Sequence, residues 1–387
     1  MDAPLHDAAI VGAGPAGLAA AASLRAVGLQ ALVVDKAAAV GSAWREHYDR
    51  LRLHTERALS GLPGLPIPRK HGKWVPRDGV IEYLEEYARH HRLELRLSTP
   101  VHRIDREDGV WRLGTPSGPL RARAAVIAAG YNNSPYLPAW PGREKFAGEL
   151  LHSAKYKNAE RFRGRHALVV GTGNSGAEIA VDLAEGGAAS VRIAVRTPPN
   201  IMRRQVGPLA TQRLGVLLRH VPPQIVDPIA RLVQRLTVGD LTLYGLPPSP
   251  RGLYARAREG QIPILDVGLI DAIKSGRITV VPALRALDGR EVVLEDGSRI
   301  EADVVIAATG YARALERMVG HLGVLDARGV PLAHGASTHS AAPGMYFIGY
   351  SNPISGNLRE IGIDARKIAK AIRGSLALAT DPIRARG

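Results

Sequence analysis

The chain of 387 residues contains no cysteine. Without thiols there are no disulfide bonds, thiolate metal sites, cysteine nucleophile or dithiol redox relay. No apolar run approaches the roughly 20 residues that a membrane-spanning helix requires, and residues 1–4 form no basic leader. We therefore expect no transmembrane segment, no signal peptide, no bound metal and a cytoplasmic location.

Aromatic residues are also few, at 5% of the chain, and they rarely accompany the basic residues. The formal net charge of +15 would suit a nucleic-acid partner, but the positive residues are mostly arginine and are spread along the chain. We therefore predict no nucleic-acid partner, and we interpret the charge as an arginine bias with some attraction for anionic cofactors. The 45% apolar content is that of an ordinary globular protein, and the length allows two or three domains.

A dinucleotide-binding pattern opens the chain. A buried parallel strand and an alanine-rich helix are predicted there, with Gly12, Gly14 and Gly17 between them in G-x-G-x-x-G spacing. Gly12 allows the tight turn, Gly14 lets the backbone approach a pyrophosphate, and Gly17 lets the helix pack on the strand. A second strand ends in Asp35. We expect its carboxylate to accept hydrogen bonds from ribose hydroxyls.

The pattern returns in the middle of the chain, where Gly171, Gly173 and Gly176 occupy the turn. Here the position expected to be acidic is Arg196, followed by Thr197. A guanidinium pairs with a 2′-phosphate, which a carboxylate would repel, so we expect this site to prefer NADPH to NADH. A solvent-facing arginine at a strand end is the alternative interpretation.

The two copies also end alike. Residues 101–130 and 281–310 each predict short antiparallel strands around glycine-containing turns, followed by a buried strand that stops at a glycine. The predicted fold class is α/β, with two Rossmann-like dinucleotide-binding domains, each carrying a small antiparallel β-meander, as in two-dinucleotide-binding-domain flavoproteins. The predicted domains are residues 1–155, the first part of the FAD-binding domain; 156–305, the NADPH-binding domain with a largely helical insertion at 198–262; and 306–387, the second part of the FAD-binding domain.

An acidic residue at the first nucleotide site and an arginine at the second suggest FAD and NADPH as the cofactors, with hydride passing from nicotinamide to flavin. A disulfide reductase of this build needs a cysteine pair beside the flavin, so the absence of cysteine excludes that class. Two classes remain open. One is a reductase that passes electrons to a protein or quinone, and the other is an oxygenase.

Residues 146–156 follow neither a helical nor an alternating period, so we expect an irregular connector between the domains. It carries Phe146, Gly148, His152 and Tyr156 in the order F-x-G-x-x-x-H-x-x-x-Y. This motif resembles the identifying sequence of the class B flavin monooxygenases. The segments GTGNSGAEIA, ILDVG and IAATGY resemble those of flavin-containing monooxygenases. The resemblance covers most of the chain and is nearest to YUCCA-type enzymes and their small bacterial relatives.

That resemblance implies an NADPH-dependent FAD monooxygenase. In this family NADPH reduces the flavin, O2 adds at flavin C4a, and one oxygen atom is transferred to a small organic substrate. Sulfides, amines and carbonyl compounds, including indole-3-pyruvate-like 2-oxo acids, all remain open. The chemistry requires a pocket that excludes water. The expected partners are the substrate and O2, and an NAD(P)H:flavin oxidoreductase acting on a protein or quinone is the alternative.

The resemblance also implies roles for individual residues. The connector is expected to lie beside NADP⁺, so His152, Lys155 and Tyr156 are candidates for positioning rather than for proton transfer, and a structural hinge is the alternative. Two residues are the candidates for catalysis. His54 stands where longer family members carry an asparagine that supports the flavin, and Tyr311 follows the second linker near the nicotinamide.

The candidate FAD-binding residues are Gly12, Gly14, Pro15, Ala16, Gly17, Asp35, Lys36, Trp44, Arg45, His54, Val101, Ala129, Gly130, Asn357 and Ile361. The candidate NADPH-binding residues are His152, Lys155, Tyr156, Gly171, Thr172, Gly173, Asn174, Ser175, Gly176, Arg196, Thr197, Thr309 and Gly310. For Trp44, an ordinary core position is the alternative. Near the C-terminus we expect Asn357 to be the N-cap of a helix, with Glu360 completing a capping box.

Residues 198–262 fit no nucleotide fold and contain nine arginines against three acidic residues. The pattern predicts short amphipathic helices. We interpret the insertion as a substrate-tunnel cap, a contact in a homodimer or a membrane-surface patch. The first two are favoured, because helices this short bind lipid weakly.

Overall fold

The computed structural model describes residues 4–207 and 209–380. The interpretation of the N-terminus, which rests mainly on residues 1–3, and the end of the last predicted segment, residues 381–387, lie outside the described residues. Two α/β units, each built on a parallel sheet, make up the described chain, and this architecture confirms the predicted fold class.

The first unit opens with a strand, a helix and a second strand. Its elements are β1 (Leu5–Val11), α1 (Pro15–Ala26), β2 (Ala31–Val34), α2 (Ser42–Glu46), α3 (Arg77–His90), β3 (Glu94–Arg96), β4 (Arg103–Glu107), β5 (Val110–Gly114) and β6 (Leu120–Ile127). The six strands form a sheet in the order β3-β2-β1-β6-β5-β4, in which β1 runs parallel to both of its neighbours. Strands β4 to β6 are the predicted meander, and it extends the main sheet directly.

The second unit begins with β7 (Ser134–Pro135), β8 (Glu149–His152), β9 (His166–Val170), α4 (Asn174–Glu185) and β10 (Ser190–Val195). The insertion follows with β11 (Ile201–Arg203), β12 (Gln205–Val206), β13 (Leu209–Ala210), α5 (Thr211–Leu218), α6 (Pro223–Thr237) and α7 (Leu253–Arg258). Short β12 and β13 pair only with each other, while the buried faces of α6 and α7 share one apolar cluster.

The unit is completed by β14 (Ile264–Asp266), α8 (Leu269–Lys274), β15 (Thr279–Pro282), β16 (Leu284–Asp288), β17 (Glu291–Leu294), β18 (Arg299–Glu301) and β19 (Val304–Ala307). Its sheet has the order β15-β10-β9-β19-β8, with every pair parallel. The second predicted meander, β16 to β18, is a separate three-stranded sheet. The two copies therefore share their core but not the attachment of their meanders.

The expectation of an irregular connector at residues 146–156 is wrong for its central part. Glu149–His152 forms β8, the edge strand of the second sheet, in parallel register with β19. The strand has four residues, too few to reveal a period, and its partner lies more than 150 positions further along the chain. Tertiary pairing, which a local pattern does not encode, creates this strand.

The chain then returns to the first unit through β20 (Tyr311–Ala312), α9 (Glu316–Val319), β21 (Met345–Phe347) and α10 (Asn357–Thr380). Strand β21 pairs in parallel with β6, and α10 packs on α1. Buried alanines cover most of α1 and bring the two helices close, with Ala365 and Ile368 of α10 in the same core. Within residues 4–207 and 209–380, none of the helices combines the length and apolar character needed to cross a bilayer.

Candidate functional site

The first glycine-rich loop lies between the end of β1 and the start of α1. Gly12 has a φ of +117°, and a Cβ atom there would collide with the carbonyl of Ala128. A Cβ atom on Gly17 would collide with the carbonyl of Gly12. Gly14, by contrast, would direct a Cβ atom into open space, with nothing beyond its chain neighbours within 4 Å. The packing of the protein itself therefore requires Gly12 and Gly17, whereas Gly14 borders free volume.

The second loop, between β9 and α4, repeats this geometry. Gly171 also has a φ of +117°, and a Cβ atom on it would collide with the carbonyl of Ala308. A Cβ atom on Gly176 would collide with the carbonyl of Gly171, and Gly173 again borders open space. The sequence repeat is thus a repeat of backbone conformation at both loops.

Both loops fit a pyrophosphate. Helices α1 and α4 begin without a hydrogen bond from a capping side chain, so the N–H groups of their first turns remain available. A helix N-terminus attracts anions through these groups and through its dipole. The free volume over Gly14 and Gly173 is where a phosphate can approach the backbone. The residues at each loop therefore suit a dinucleotide.

Asp35 closes the first loop. Its Oδ2 accepts a hydrogen bond from the backbone N–H of Ala13 at 2.6 Å, and its Oδ1 accepts one from Ala37 at 2.8 Å. The next residue, Lys36, donates from Nζ to Oδ1 of Asn133 at 3.1 Å. An ionised carboxylate keeps further lone pairs after two such bonds. Asp35 therefore has a structural role beside the predicted contact with ribose, and that contact stays a prediction.

Arg196 follows β10 directly and is exposed. No described residue forms an ion pair with it. Thr172, in the second glycine-rich loop, donates from Oγ1 to the carbonyl of Thr197 at 3.4 Å. This contact brings the turn that carries Arg196 against the loop, so an exposed arginine lies next to the residue that contacts the predicted dinucleotide site.

The connector is anchored by His152, which is buried. Its Nδ1 accepts a hydrogen bond from the backbone N–H of Ala154 at 3.1 Å, so its Nε2 carries the proton and donates to the carbonyl of Gly310 at 3.0 Å. The ring stands edge-on to Tyr311, with 5.0 Å between the ring centroids. Burial lowers the pKa of His152 and raises that of Tyr311. Nε2 of the neutral imidazole thus holds the second linker, while Nδ1 holds the backbone of the connector itself.

Tyr156 and Lys155 differ in exposure. Tyr156 is only 1% exposed, its ring stacks on Phe162 at 5.6 Å, and its hydroxyl donates to Oδ2 of Asp182 at 2.6 Å. Burial raises the pKa of its hydroxyl. Lys155 is exposed, and no described residue bonds to its ammonium group. Tyr156 therefore supports the site from within the second unit, and Lys155 is the side chain free to reach an anion.

The two linkers between the units contact each other. Strand β7 pairs antiparallel with β20, which places Pro135 opposite Tyr311. Thr309 donates from its hydroxyl to the carbonyl of Tyr136. Gly130 and Gly310 have φ values of +99° and +85°, and at both a Cβ atom would meet nothing. The chain crosses between the units twice, side by side, with an open glycine before each of the two paired strands.

His54 lies at the junction of the two units. Its Nε2 is 2.7 Å from Oε1 of Glu178, a buried residue of α4. The two atoms lie close together without the geometry of a hydrogen bond, and neither ring nitrogen of His54 has a hydrogen-bond partner among the described residues. Tyr48 lies beside α4 as well, where burial and then the charge of Glu178 raise the pKa of its hydroxyl. The sequence analysis did not identify Glu178 or Tyr48, because their partners lie far away in the chain.

Helix α5 of the insertion contacts the loop that follows His54. Gln212, in α5, is buried and accepts a hydrogen bond at Oε1 from the backbone N–H of Glu56 at 2.7 Å. Its Nε2 donates to the carbonyl of Ser355 at 2.8 Å. One side chain therefore ties the loop that follows His54 to the segment that precedes α10. No local pattern in the sequence indicates this bridge.

The predicted capping box at the last helix is wrong. The backbone N–H of Glu360 bonds to the carbonyl of Gly356, which makes Gly356 the N-cap and Asn357 the first helical residue. Gly356 has a φ of +102°, and its freedom from a side chain allows this entry into the helix. Glu360 instead accepts a hydrogen bond from the hydroxyl of Ser355. The buried Oδ1 of Asn357 has no partner among the described residues, so it is available to a ligand.

Most of the remaining candidates lie in the first unit. Trp44 is half-buried against the core of the first unit, and Arg45 forms an ion pair with Glu85. Pro15 and Ala16 lie in the first turn of α1. Val101, Ala129 and Ile361 lie in the buried apolar clusters of the first unit or pack against them. Asn174 of the second loop accepts a hydrogen bond from the backbone of Leu265.

Comparison with protein families gives a match over residues 9–230 to the model described as pyridine nucleotide-disulphide oxidoreductase. Among curated proteins, the chain is 36% identical over 372 residues to indole-3-pyruvate monooxygenase YUCCA1 of Oryza sativa subsp. japonica, covering 94% of this chain and 91% of the relative. It is 32% identical to the probable indole-3-pyruvate monooxygenase YUCCA9 of Arabidopsis thaliana, covering 94% and 88%.

Among solved structures, a mutant flavin monooxygenase from Stenotrophomonas maltophilia superposes with a TM-score of 0.76 at 25% identity. The match covers 97% of this chain and all of the other. A cyclohexanone monooxygenase superposes with a TM-score of 0.73 at 20% identity, over 97% of this chain and 85% of the other. The second likeness concerns the fold alone.

Proposed function

We propose, on the premise that this chain belongs to the class B flavin-dependent monooxygenases, that it uses FAD and NADPH to transfer one oxygen atom of O2 to a small organic substrate. The observation that carries the proposal is the pair of glycine-rich loops with the same backbone geometry, each beside an open glycine at a helix N-terminus. The antiparallel pairing of β7 with β20, the strands of the two linkers between the units, supports the proposal further.

FAD and NADPH, when bound, would supply the redox chemistry of hydride transfer and O2 activation, with one oxygen atom entering the substrate and the other leaving as water. The first loop holds the FAD pyrophosphate over Gly14, with Asp35 keeping the loop in place. The second loop holds the NADPH pyrophosphate over Gly173. Arg196 pairs with the 2′-phosphate, since it is exposed next to the residue that contacts that loop.

Positioning is the role of His152 in this proposal. The imidazole is neutral, because burial lowers its pKa and because Nδ1 already accepts a backbone hydrogen bond. Its Nε2–H fixes Gly310 in the second linker, and its ring packs against Tyr311. A rigid linker keeps the two dinucleotides in register and limits the entry of water. His152 therefore moves no proton in the reaction.

The substrate class is proposed from the relatives. Both curated relatives cited above carry the name indole-3-pyruvate monooxygenase, so an aryl 2-oxo acid is the first substrate to test. Sulfides, amines and other carbonyl compounds are the next. We also propose that residues 1–155 and 306–387 hold FAD and that 156–305 hold NADPH. A cytoplasmic location stays a prediction.

Oxygen consumption and product analysis test the proposal. Purified protein should be yellow, oxidise NADPH and convert indole-3-pyruvate, or a sulfide or amine, into a product that carries one atom of ¹⁸O from ¹⁸O2. Oxidation of NADPH that yields hydrogen peroxide alone with every such substrate, and rapid turnover once a quinone or redox protein is added, would establish the alternative NAD(P)H:flavin oxidoreductase instead.

A further inference from the structure

A cavity of about 420 Å³ lies at the junction of the two units. The first unit contributes Arg52, which closely precedes His54, to the cavity wall. The second unit contributes Glu178 of α4 and Arg204, which lies between β11 and β12 of the insertion. Pockets for small molecules have volumes of about 300–1,000 Å³. The cavity is therefore large enough for a small ligand.

Most of the carboxylates that line this cavity have a cation of their own. Arg50 donates from Nη1 to Asp182 at 3.2 Å and to Glu185 at 2.9 Å. Arg77 donates from Nη1 to Asp49 at 2.6 Å. These three carboxylates are compensated in this way, and none of them pairs with the other two arginines of the cavity wall.

Arg52 and Arg204 are those two arginines, and among the described residues neither has a carboxylate in an ion pair with it. The exposed Arg52 donates to the carbonyl of Trp74 at 3.3 Å. Arg204 is half-buried, and its Cζ lies 4.5 Å from the ring centroid of Trp74. No described residue forms a hydrogen bond with the guanidinium of Arg204. Trp74 thus supports both arginines without neutralising either.

Glu178 is the remaining carboxylate of the cavity wall. Its Oε1 lies 2.7 Å from Nε2 of His54 rather than against an arginine. The pKa of Arg204 is below its usual value, chiefly because the side chain is buried; the charge of Glu178 opposes this shift, and that of Arg52 adds to it. Even if Glu178 compensates one arginine, the other keeps an uncompensated charge. A half-buried guanidinium is unfavourable without an anion beside it, so the cavity favours an anionic ligand.

We propose that Arg204, assisted by Arg52, binds the carboxylate of the substrate in this cavity. The planar fork of a guanidinium matches a carboxylate through two parallel hydrogen bonds. The identification of this anion as the substrate rests on the proposed function, in which the phosphates of the two dinucleotides have other sites, at the glycine-rich loops and at Arg196. A third anion site then remains for the molecule that is oxidised.

The position of the cavity supports this assignment. Its wall includes Glu178, which contacts His54, the candidate for a side chain beside the flavin. An acid anchored at Arg204 therefore lies close to the expected place of the reaction. The names of the relatives suggest an aryl 2-oxo acid, and the two uncompensated arginines are an independent observation on this chain. They favour an organic acid over a neutral sulfide or an amine.

Equilibrium binding tests the proposal without turnover. Isothermal titration calorimetry on the FAD-loaded protein, without NADPH, compares indole-3-propionate with its neutral amide. The acid should bind at least about 10-fold more tightly than the amide, and Arg204→Met should weaken the acid by about 10- to 100-fold, because a charged pair of hydrogen bonds is lost. Binding of the amide and of NADPH should be nearly unchanged. Methionine retains an apolar contact with Trp74.

Three further variants sharpen the test. Arg204→Lys, which keeps the charge but not the fork, should restore part of the affinity for the acid. Arg52→Met, at an exposed position where folding is not at risk, should weaken the acid by about 3- to 10-fold. Arg258→Met is the matched control, since Arg258 is an exposed arginine of the same insertion that donates to the carbonyl of Val221. It should leave the affinity for the acid unchanged. Circular dichroism and FAD content should be the same in all variants.

The assignment fails if the acid binds no more tightly than the amide, or if Arg204→Met and Arg52→Met leave its affinity unchanged. A loss of NADPH affinity as large as the loss for the acid would assign Arg204 to a nucleotide phosphate instead. These results are separate from the test of the reaction. Oxygenation with ¹⁸O2 combined with acid binding that ignores both arginines would overturn the carboxylate site alone, whereas acid binding through Arg204 without oxygenation would uphold the site and overturn the proposed reaction.

Discussion

Nε2 of His152 lies 3.0 Å from the carbonyl oxygen of Gly310. The first residue ends the edge strand of the second sheet, and the second is the glycine of the linker that leads back to the first unit. A single hydrogen bond therefore joins both passages of the chain between the units. Because the imidazole also accepts a bond at Nδ1, only its neutral form satisfies both contacts.

Stability should depend on pH through His152. Burial holds the pKa of His152 in the folded protein below its usual value of about 6.5. The unfolded chain then binds more protons than the folded chain between those two pKa values, so the free energy of unfolding should fall as the pH drops below about 6.5. His152→Gln, which does not titrate, should show a shallower decline. Urea unfolding between pH 7.5 and 5.5, followed by tryptophan fluorescence, measures this. An unchanged slope in the variant would contradict the assignment.

Arg196→Ala should weaken the binding of NADPH by about 10- to 100-fold and leave the binding of NADH nearly unchanged. The lost interaction is a charged hydrogen bond to the 2′-phosphate, worth about 1.5–3 kcal/mol. Steady-state KM values for the two nucleotides measure the effect. Arg192→Ala is the control, since Arg192 lies on β10, the strand that precedes Arg196, but donates to the carbonyl of Glu301. Equal losses for NADPH and NADH would remove Arg196 from the phosphate site.

Gly14→Ala should reduce FAD occupancy without destabilising the apoprotein, because the new methyl group enters the space reserved for the pyrophosphate and touches no protein atom. The ratio of flavin to protein absorbance, together with the thermal unfolding of the apoprotein, separates the two effects. Gly12→Ala should behave differently and cost more than about 1 kcal/mol of stability, since Gly12 has a positive φ and no room for a side chain. Gly374→Ala, at an open position within α10, is the control: it should leave FAD occupancy unchanged and stabilise the apoprotein by up to about 1 kcal/mol, because alanine favours a helix more than glycine does.

Gln212→Leu should uncouple NADPH oxidation from substrate oxygenation. The change leaves the backbone N–H of Glu56 and the carbonyl of Ser355 without their buried partner, at a cost of about 1–3 kcal/mol per orphaned group. We expect looser packing of the insertion around position 212 to admit water, so the fraction of NADPH that ends as hydrogen peroxide should rise. Peroxide per NADPH consumed is the measurement, and Gln224→Leu, at an exposed position of α6, is the control. Full coupling in the Gln212→Leu variant would show that the bridge has no part in excluding water.

Several elements followed from local pattern because their physical cause is local. The strand-to-helix turns at Gly12 and Gly171 depend on glycines that no other residue can replace, and the structure has both with the same φ. The two meanders follow from alternation and from turn residues such as Asp108 and Gly109, both of which have positive φ. The turns and their positive φ values depend on residues that are close in the sequence, although the tight packing at Gly12 and Gly171 also involves the distant carbonyls of Ala128 and Ala308.

Other elements depended on partners that are distant in the chain. Residues 149–152 look irregular in isolation and become a strand only because β19 offers an open edge. The last helix begins one residue earlier than predicted, because Gly356 enters it with a positive φ while Glu360 accepts a hydrogen bond from Ser355. A capping pattern in the sequence shows neither that Gly356 is the N-cap nor that Glu360 bonds to Ser355.

The amino-acid sequence by itself determined that the chain has two glycine-rich turns, that thiol chemistry is absent and that an arginine follows the second of these turns, since each depends on which residues are present at fixed spacing. Only the tertiary structure decided which side chains meet across the two units. Contacts such as Gln212 with Glu56 and His54 with Glu178 join residues more than 120 positions apart. Such contacts arise when buried polar groups must find partners as the units close on each other, and no local period records that requirement.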